Sequence, residues 1–213
     1  MPGPRLHRDP HQVELKLGRL EEHHVAPLTR YVEALRRERP EAAIPYFDPE
    51  EAGTRARVLL LLEAPGRRAA LDGGSGLVSA DNNDQTAANL WMLLREAGID
   101  RAREITTWNV VPWYIGDGQG IRAARGDDLN AGRRAVEGLL GLLLDLRAVV
   151  LLGRKAQASW RRLRIKPLLH LTECPHPSPL SINTTPGARG EILAALEEAK
   201  RIAGDGPAMS RPI

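Results

Sequence analysis

The chain has one cysteine, Cys174, among 213 residues. A single cysteine excludes an intramolecular disulfide framework, and it excludes a zinc or iron–sulfur site built from four cysteines of one chain. We therefore expect no metal site and no cofactor, which fits a reducing compartment. A Walker-type phosphate loop is also excluded, because no Gly-Lys-Ser or Gly-Lys-Thr sequence is present.

Long apolar runs are absent as well. No stretch approaches the roughly 20 apolar residues that a membrane-spanning helix needs, and Met1 to Pro10 lacks the apolar core of a signal peptide. We expect a cytoplasmic protein with no membrane partner. Lysine is scarce, so the formal charge of +3 rests mainly on arginine. That charge is compatible with a polyanionic partner and equally with a generally arginine-rich composition.

Apolar runs alternate with helical periodicity along most of the chain. Four strands are predicted, at Val58–Leu62, Ile105–Val111, Ala148–Leu152 and Leu168–Thr172. Helices are predicted at Thr86–Ala97, Leu129–Leu144, Lys155–Arg164 and Gly190–Ile202. This alternation favours an α/β fold, a three-layer α/β/α sandwich with a short four-stranded parallel sheet.

The length suits one domain with an N-terminal extension. We predict a tail and helical extension packed on the core over 1–56, with one or two helices in Val13–Arg39. The α/β domain then covers 57–204, and 205–213 is predicted to be a flexible C-terminal tail.

Three short polar segments each follow an apolar run. They are Glu63-Ala64-Pro65-Gly66, Asn109-Val110-Val111-Pro112 and His176-Pro177-Ser178-Pro179-Leu180-Ser181. In an open parallel sheet the residues just past the carboxyl ends of the strands form the ligand crevice. A carboxylate, an amide and an imidazole that are far apart in sequence are therefore expected to converge on one pocket.

Each polar side chain leaves two interpretations open. Glu63 is either a solvated loop acid or a group that orients water or stabilises a cation. Asn109 bonds either to local backbone or to a ligand edge such as that of a pyrimidine. His176 stands between prolines that stiffen its loop, which favours a donor to a developing oxyanion over an incidental surface histidine.

Two further features suggest contacts with a nucleic acid. Ser178 could bind a phosphate, and Leu180 is either a core residue or a wedge between bases. Gly153-Arg154 opens a helix, where backbone N–H groups attract phosphates, although an ordinary strand-to-helix turn is equally compatible with the sequence.

Together the three segments resemble the uracil-DNA glycosylase superfamily, over roughly Val58 to Ala203. Glu63-Ala64-Pro65-Gly66 and Asn109-Val110-Val111 resemble its iron–sulfur branch, with Leu62 in place of that branch's leading glycine. The segment that begins at His176 is identical to the form typical of the classical uracil enzymes.

The resemblance implies a monofunctional hydrolase that acts on a base flipped out of DNA. It implies that Asn109 reads the base, that Ala64, Pro65, Gly66 and Leu77 line the base site, and that His176 stabilises the leaving base. Glu63 would position water, with Asp81 and Asp84 as alternative acids. Leu180 would fill the gap in the duplex, while Ser178, Gly153 and Arg154 would hold phosphates.

Two departures from the family pattern stand out. The iron–sulfur branch uses four cysteines, so no cluster is expected here. The superfamily usually stacks a Phe on the base, in the loop after the first motif. The only Phe here is Phe47, outside that loop, and Leu77 or Val78 stands at the corresponding place.

Three functional hypotheses follow. The first is a glycosylase that removes uracil or another deaminated base from DNA and acts as a monomer. The second is a protein that binds damaged or abasic DNA with little turnover. The third is a Rossmann-like nucleotide-binding protein unrelated to DNA.

Overall fold

The computed structural model describes residues 3–70, 73–116, 120, 122–163 and 168–204. The predicted C-terminal tail, 205–213, lies outside the described residues. The strands are β1 (Tyr46–Phe47), β2 (Val58–Leu62), β3 (Leu77–Val78), β4 (Ile105–Asn109), β5 (Ala148–Leu152) and β6 (His170–Cys174). The helices are α1 (Pro10–Leu17), α2 (Ala26–Glu38), α3 (Arg67–Ala70), α4 (Gln85–Glu96), α5 (Arg101–Glu104), α6 (Gly126–Leu142), α7 (Arg154–Trp160), α8 (Pro179–Thr184) and α9 (Ala188–Gly204).

The main sheet is all parallel, in the order β4-β2-β5-β6. β2 is central and every one of its residues is buried, because helices cover both faces. Val58, Leu60 and Leu62 pack with residues of α4 and α9. Leu59 and Leu61 pack on the opposite face with residues of α2, α6 and α7. The predicted α/β fold with a four-stranded parallel sheet between helical layers is thus confirmed.

The last strand begins later than its apolar run predicts. β6 starts at His170, whereas Leu168 is 82% exposed. β6 pairs along its length with β5, up to the pair Leu152 and Cys174. The carboxyl end of the strand therefore lies two residues before His176.

The N-terminal extension is part of the same core. Val25, Leu28 and Val32 are fully buried in the cluster that contains Leu59 and Leu61. Phe47 stacks on Trp108 of β4, with ring centroids 3.8 Å apart and planes 6° from parallel. β1 and β3 form a separate two-stranded parallel ladder, which fixes the segment after Gly76 against the segment before Asp48. Among the described residues, no helix is both long and apolar enough to cross a membrane.

Candidate active site

A cavity of about 590 Å³ opens at the carboxyl edge of the main sheet. This volume lies within the range of small-molecule pockets. β2 lies between β4 and β5, so the chain reverses its direction of winding there, which is where open α/β sheets bind ligands. The wall residues are Leu62, Ala64, Pro65, Gly66, Arg67, Arg68, Ala69, Gly73, Gly74, Val78, Ser79, Asn82, Asp84, Thr86, Ala87, Leu90, Thr107, Asn109, Gly120 and His176.

Asn109 is the last residue of β4 and pairs in register with Leu62 of β2. It is 3% exposed and lines the cavity. No described group hydrogen-bonds with its side-chain amide. A buried amide normally has partners, so Asn109 offers a donor pair and an acceptor to whatever enters the cavity.

His176 lies two residues past β6 and lines the same cavity. The backbone N–H of Ser178 donates to its Nδ1 at 3.2 Å. That nitrogen must therefore be unprotonated, so the neutral ring carries its proton on Nε2. Burial lowers the pKa of His176 to about 4. At neutral pH the ring is accordingly an uncharged N–H donor rather than a cation.

Glycine allows the turn after β5 to pack against this histidine. Gly153 has a φ of +93°, a conformation that favours glycine. A Cβ on Gly153 would lie only 3.1 Å from the Cβ of His176. Gly153 thus contacts the histidine and does not line the cavity. Arg154, the next residue, is exposed at the start of α7.

The first predicted acid, Glu63, is not among the residues that line the cavity. Its Oε1 accepts from the backbone N–H of Ala124 at 2.8 Å. The carbonyl of the same Ala124 accepts from Lys155 at 3.3 Å. Glu63 therefore holds the segment before α6, while its neighbours Ala64, Pro65 and Gly66 do line the cavity.

The other two acids differ sharply in their surroundings. Asp81 is 2% exposed and forms ion pairs with Lys16 and Arg101. Asp84 lines the cavity and caps α4, where its Oδ1 accepts from the N–H of Ala87 at 2.9 Å. Of the three candidate acids, only Asp84 lies on the cavity wall, and its second carboxylate oxygen has no described hydrogen-bond partner.

The cavity wall next to β3 is aliphatic. Leu77 is fully buried and is not a wall residue, whereas its neighbour Val78 lines the cavity. No described wall residue is Phe, Tyr or Trp. Of the two positions predicted to replace the stacking Phe, only Val78 lies on the cavity wall.

The two predicted DNA contacts after His176 lie at the start of α8. Ser178 caps this helix, where its Oγ accepts from the N–H of Ser181 at 3.3 Å. Leu180 is 74% exposed in the first turn of the helix. The leucine is thus a surface residue and not part of the core.

Sequence patterns did not indicate that Thr107 and Glu51 belong to the site. Thr107 lines the cavity two residues before Asn109, on the same face of β4. Its backbone N–H and hydroxyl donate to the two carboxylate oxygens of Glu51, at 2.7 and 2.8 Å. Burial raises the pKa of Glu51 to about 8. In the sequence, Glu51 is one of several acids in the connector before β2, and acids in such connectors are typical of exposed loops.

Arg67 and Arg68 were also missed. Both are exposed wall residues at the start of α3. Neither guanidinium has an ion-pair or hydrogen-bond partner in the described part of the chain. They are therefore cations at the cavity mouth that remain available to a polyanion.

His7, Asp48 and Asp81 offer possible metal-ligand atoms that lie within 4.8 Å of one another. Lys16 Nζ, however, lies 2.8 Å from Asp48 Oδ2 and 2.6 Å from Asp81 Oδ2. Arg101 contacts both carboxylates at 3.0 Å. Because two cations already neutralise these acids, we assign the cluster to ion pairing and not to a metal.

The model of the uracil DNA glycosylase superfamily matches residues 49–199. The chain therefore belongs to this superfamily, whose members are glycosylase hydrolases. No curated protein matches the chain. A candidate uracil DNA glycosylase from Methanosarcina acetivorans, solved by NMR in solution, is 16% identical, with a TM-score of 0.47; the match covers 69% of this chain and 92% of that one.

We predict that His176 stays neutral down to about pH 4 in the folded protein. Because its pKa is lowered, the unfolded chain binds the proton more tightly. The contribution of His176 to stability is therefore fully present above about pH 6.5 and is lost as the pH falls toward 4. NMR titration of the imidazole carbons of His176 measures this pKa directly. A His176 resonance that titrates near 6.5 would contradict the burial argument.

We predict that the double variant Arg67→Ala/Arg68→Ala binds DNA with a weaker salt dependence than the wild type. Each lost phosphate contact lowers the slope of log K against log salt by about 1. The control is Arg103→Ala, whose side chain is 84% exposed just before β4, at the opposite edge of the sheet. Equal slopes for all three proteins would exclude the arginine pair from the DNA interface.

Proposed function

We propose that this protein is a DNA glycosylase that hydrolyses the N-glycosidic bond of uracil, or of a related deaminated base, flipped out of DNA. One observation carries the proposal: the amide of Asn109, which has no hydrogen-bond partner among the described residues, and the Nε2–H of neutral His176 line one cavity. An enzyme that acts on a base must extrude it from the stack, and the cavity offers a recessed pocket for it.

Base recognition is assigned to Asn109. A pyrimidine such as uracil presents alternating carbonyl and N–H groups, and a side-chain amide matches such an edge with one acceptor and two donors. Asn109 is the last residue of a fully buried strand, so its backbone position is fixed before the base arrives. Preorganised polar groups favour the matching base because a mismatched edge leaves them unpaired.

His176 is assigned to the leaving group. When the glycosidic bond breaks, the base departs with the electron pair and negative charge builds on its carbonyl oxygen. A neutral Nε2–H donates to that oxygen without transferring its proton first. A donor aimed at developing charge in a recessed site contributes to the rate mainly in the transition state.

Asp84 is assigned to the water that attacks the sugar, in place of Glu63 and Asp81. Its carboxylate is the one candidate acid on the described cavity wall. One oxygen accepts from the start of α4, which leaves the other to orient water or to stabilise the cationic sugar. Glu63 and Asp81 instead hold neighbouring loops, through Ala124 and Lys16.

The DNA strand is proposed to cross the carboxyl edge of the sheet. Arg67 and Arg68 lie at the cavity mouth, and the exposed Leu180 lies on the His176 side, where it can fill the gap left by the flipped nucleotide. Ser178, Gly153 and Arg154 are the proposed phosphate contacts on that side. Within the superfamily, the closest branch is proposed to be the Glu-Ala-Pro-Gly branch, without its iron–sulfur cluster.

The aliphatic wall at Val78 supports a second candidate, a protein that binds damaged or abasic DNA with little turnover. A base without an aromatic platform loses a stacking contact worth about 1–3 kcal/mol. Turnover separates the two candidates, since only the glycosylase releases free base.

The proposed activity predicts release of free base from labelled oligonucleotides that contain uracil, hypoxanthine, xanthine or a thymine mismatch. His176→Ala should slow release by about 100- to 1000-fold, because one oxyanion donor is lost. His23→Ala, an exposed histidine far along the chain, is the matched control and should keep the wild-type rate. If the wild type binds damaged DNA but releases no base, the glycosylase proposal is wrong and the second candidate, a binding protein with little turnover, is supported.

Asp84→Asn separates catalysis from folding at a single position. Asparagine caps helices about as well as aspartate, so the melting temperature should change little. The negative charge is lost, however, and single-turnover excision should fall about 100-fold, within the usual range for a general base. Asp127→Asn, which changes an exposed acid in the first turn of α6, is the control. A wild-type rate for Asp84→Asn would remove Asp84 from the mechanism.

Val78→Phe tests whether the aliphatic wall marks a missing platform or a wider pocket. If the platform is missing, the new ring stacks on uracil and single-turnover uracil release becomes faster. If the pocket is shaped for a purine, the ring overfills it, and release of hypoxanthine is lost while that of uracil does not improve. Leu77→Phe, at a buried position off the wall, should instead lower stability by overpacking the core.

A further inference from the structure

One wall of the cavity is a turn with little regular structure of its own. Ser79, Asn82 and Asp84 line the cavity from this turn, between β3 and α4. Its internal backbone bonds are few: the N–H of Asn82 donates to the carbonyl of Ser79 at 3.3 Å, and that of Asp84 to the carbonyl of Asn82 at 2.9 Å. The turn therefore depends on neighbouring segments for its position. Ser75 is one neighbour that holds the turn, since its Oγ donates to Oδ1 of Asn82 at 2.6 Å.

The second neighbour is the N-terminal extension, residues 5–17, which precedes the span matched by the superfamily model. The backbone N–H of His7 donates to the carbonyl of Asp81 at 3.0 Å. The ring Nδ1 of His7 lies 2.9 Å from Oδ1 of Asn82. The amide nitrogen of Asn82 already donates to Leu77, so its Oδ1 is the acceptor and His7 is the donor.

A buried ion cluster, which includes Asp81 of the turn, also fixes the turn in place. Lys16 of α1 is 3% exposed and contacts the carboxylates of Asp81 and Asp48, and Arg101 contacts both from the other side. Burial alone would lower the pKa of Lys16, but the two carboxylates raise it. Two cations thus balance the two buried carboxylates, and the partly exposed carboxylate of Glu50 also contacts Lys16 at 3.0 Å. Loss of Lys16 would leave two buried carboxylates with one cation.

We propose that residues 5–17 are a positioning segment that completes the base pocket by holding the Ser79–Asp84 turn, so that excision depends on a part of the chain outside the superfamily span. The effect on excision rests on the function proposed above. His7 is the most informative residue, because it contacts the turn directly, does not line the cavity and carries no part of the buried charge balance. If the extension had only a structural role, it would stabilise the whole fold and would not specifically fix the position of this turn.

The primary test is His7→Ala in single-turnover excision at saturating DNA. Release of base should fall about tenfold, because small displacements of a catalytic group are costly, while the dissociation constant for DNA stays within about twofold. His7→Asn should restore most of the rate, since its amide can donate to Asn82. His11→Ala is the control: His11 is exposed on the same segment and should behave as the wild type.

Hydrogen exchange provides a readout that does not need activity. In His7→Ala the amides of Asn82, Asp84 and Ala87 should exchange several-fold faster than in the wild type, with no change in β2 and β5. If the wild type releases no base but this local acceleration occurs, the function proposed above is wrong and the anchoring of the turn stands.

Three results would overturn the proposal. In the first, folded His7→Ala excises at the wild-type rate. In the second, exchange at the turn is unchanged. In the third, exchange accelerates throughout the protein and His7→Asn restores nothing, which would give the segment a general stabilising role.

Discussion

The parallel pairing of β2 with a strand on either side is the constraint on which the site depends. Parallel strands place all of their carboxyl ends at one edge of the sheet, and the register pairs Leu62 with Asn109 and Leu152 with Cys174. The motif after β2, the amide of β4 and the histidine after β6 therefore meet, although Glu63 and His176 are more than 100 residues apart. A one-residue slip of register would turn Asn109 away from the cavity, because side chains alternate between the faces of a strand.

Close backbone packing fixes this edge more tightly than strand pairing alone. A Cβ on Gly132 of α6 would lie 2.2 Å from the carbonyl oxygen of Val110, the residue after Asn109. Only a glycine allows the helix to pack so near the end of β4. Gly153 does the same for His176 on the other side of β2. A helix or turn thus approaches through a glycine both next to Asn109, at Val110, and at His176, which limits the movement of the backbone that carries them.

The sequence was sufficient to predict the layers but not the details of the wall. Val58–Leu62 and Ala148–Leu152 have the predicted bounds, since uninterrupted apolar runs of five residues suit strands covered on both faces. The wall depends on contacts between distant segments. Phe47, which looked unrelated to the site, stacks on Trp108 next to Asn109. The direction in which Glu63 points depends on Ala124, and no local pattern encodes that contact.

The buried charges beside the cavity contribute little net stability, and their main role is to fix the positions of the segments that they join. Removing ions from water costs several kcal/mol per ion, and their mutual attraction often does no more than offset this cost. What Lys16, Asp48, Asp81 and Arg101 provide is a set of directional contacts that join α1, β1, α5 and the turn before α4 in one arrangement. An apolar cluster of the same volume would tolerate sliding of the turn, whereas paired charges at 2.6–3.0 Å do not. For the base recognition proposed above, an aliphatic wall would provide little stacking, so accurate placement of the polar groups on the cavity wall would carry more of the discrimination.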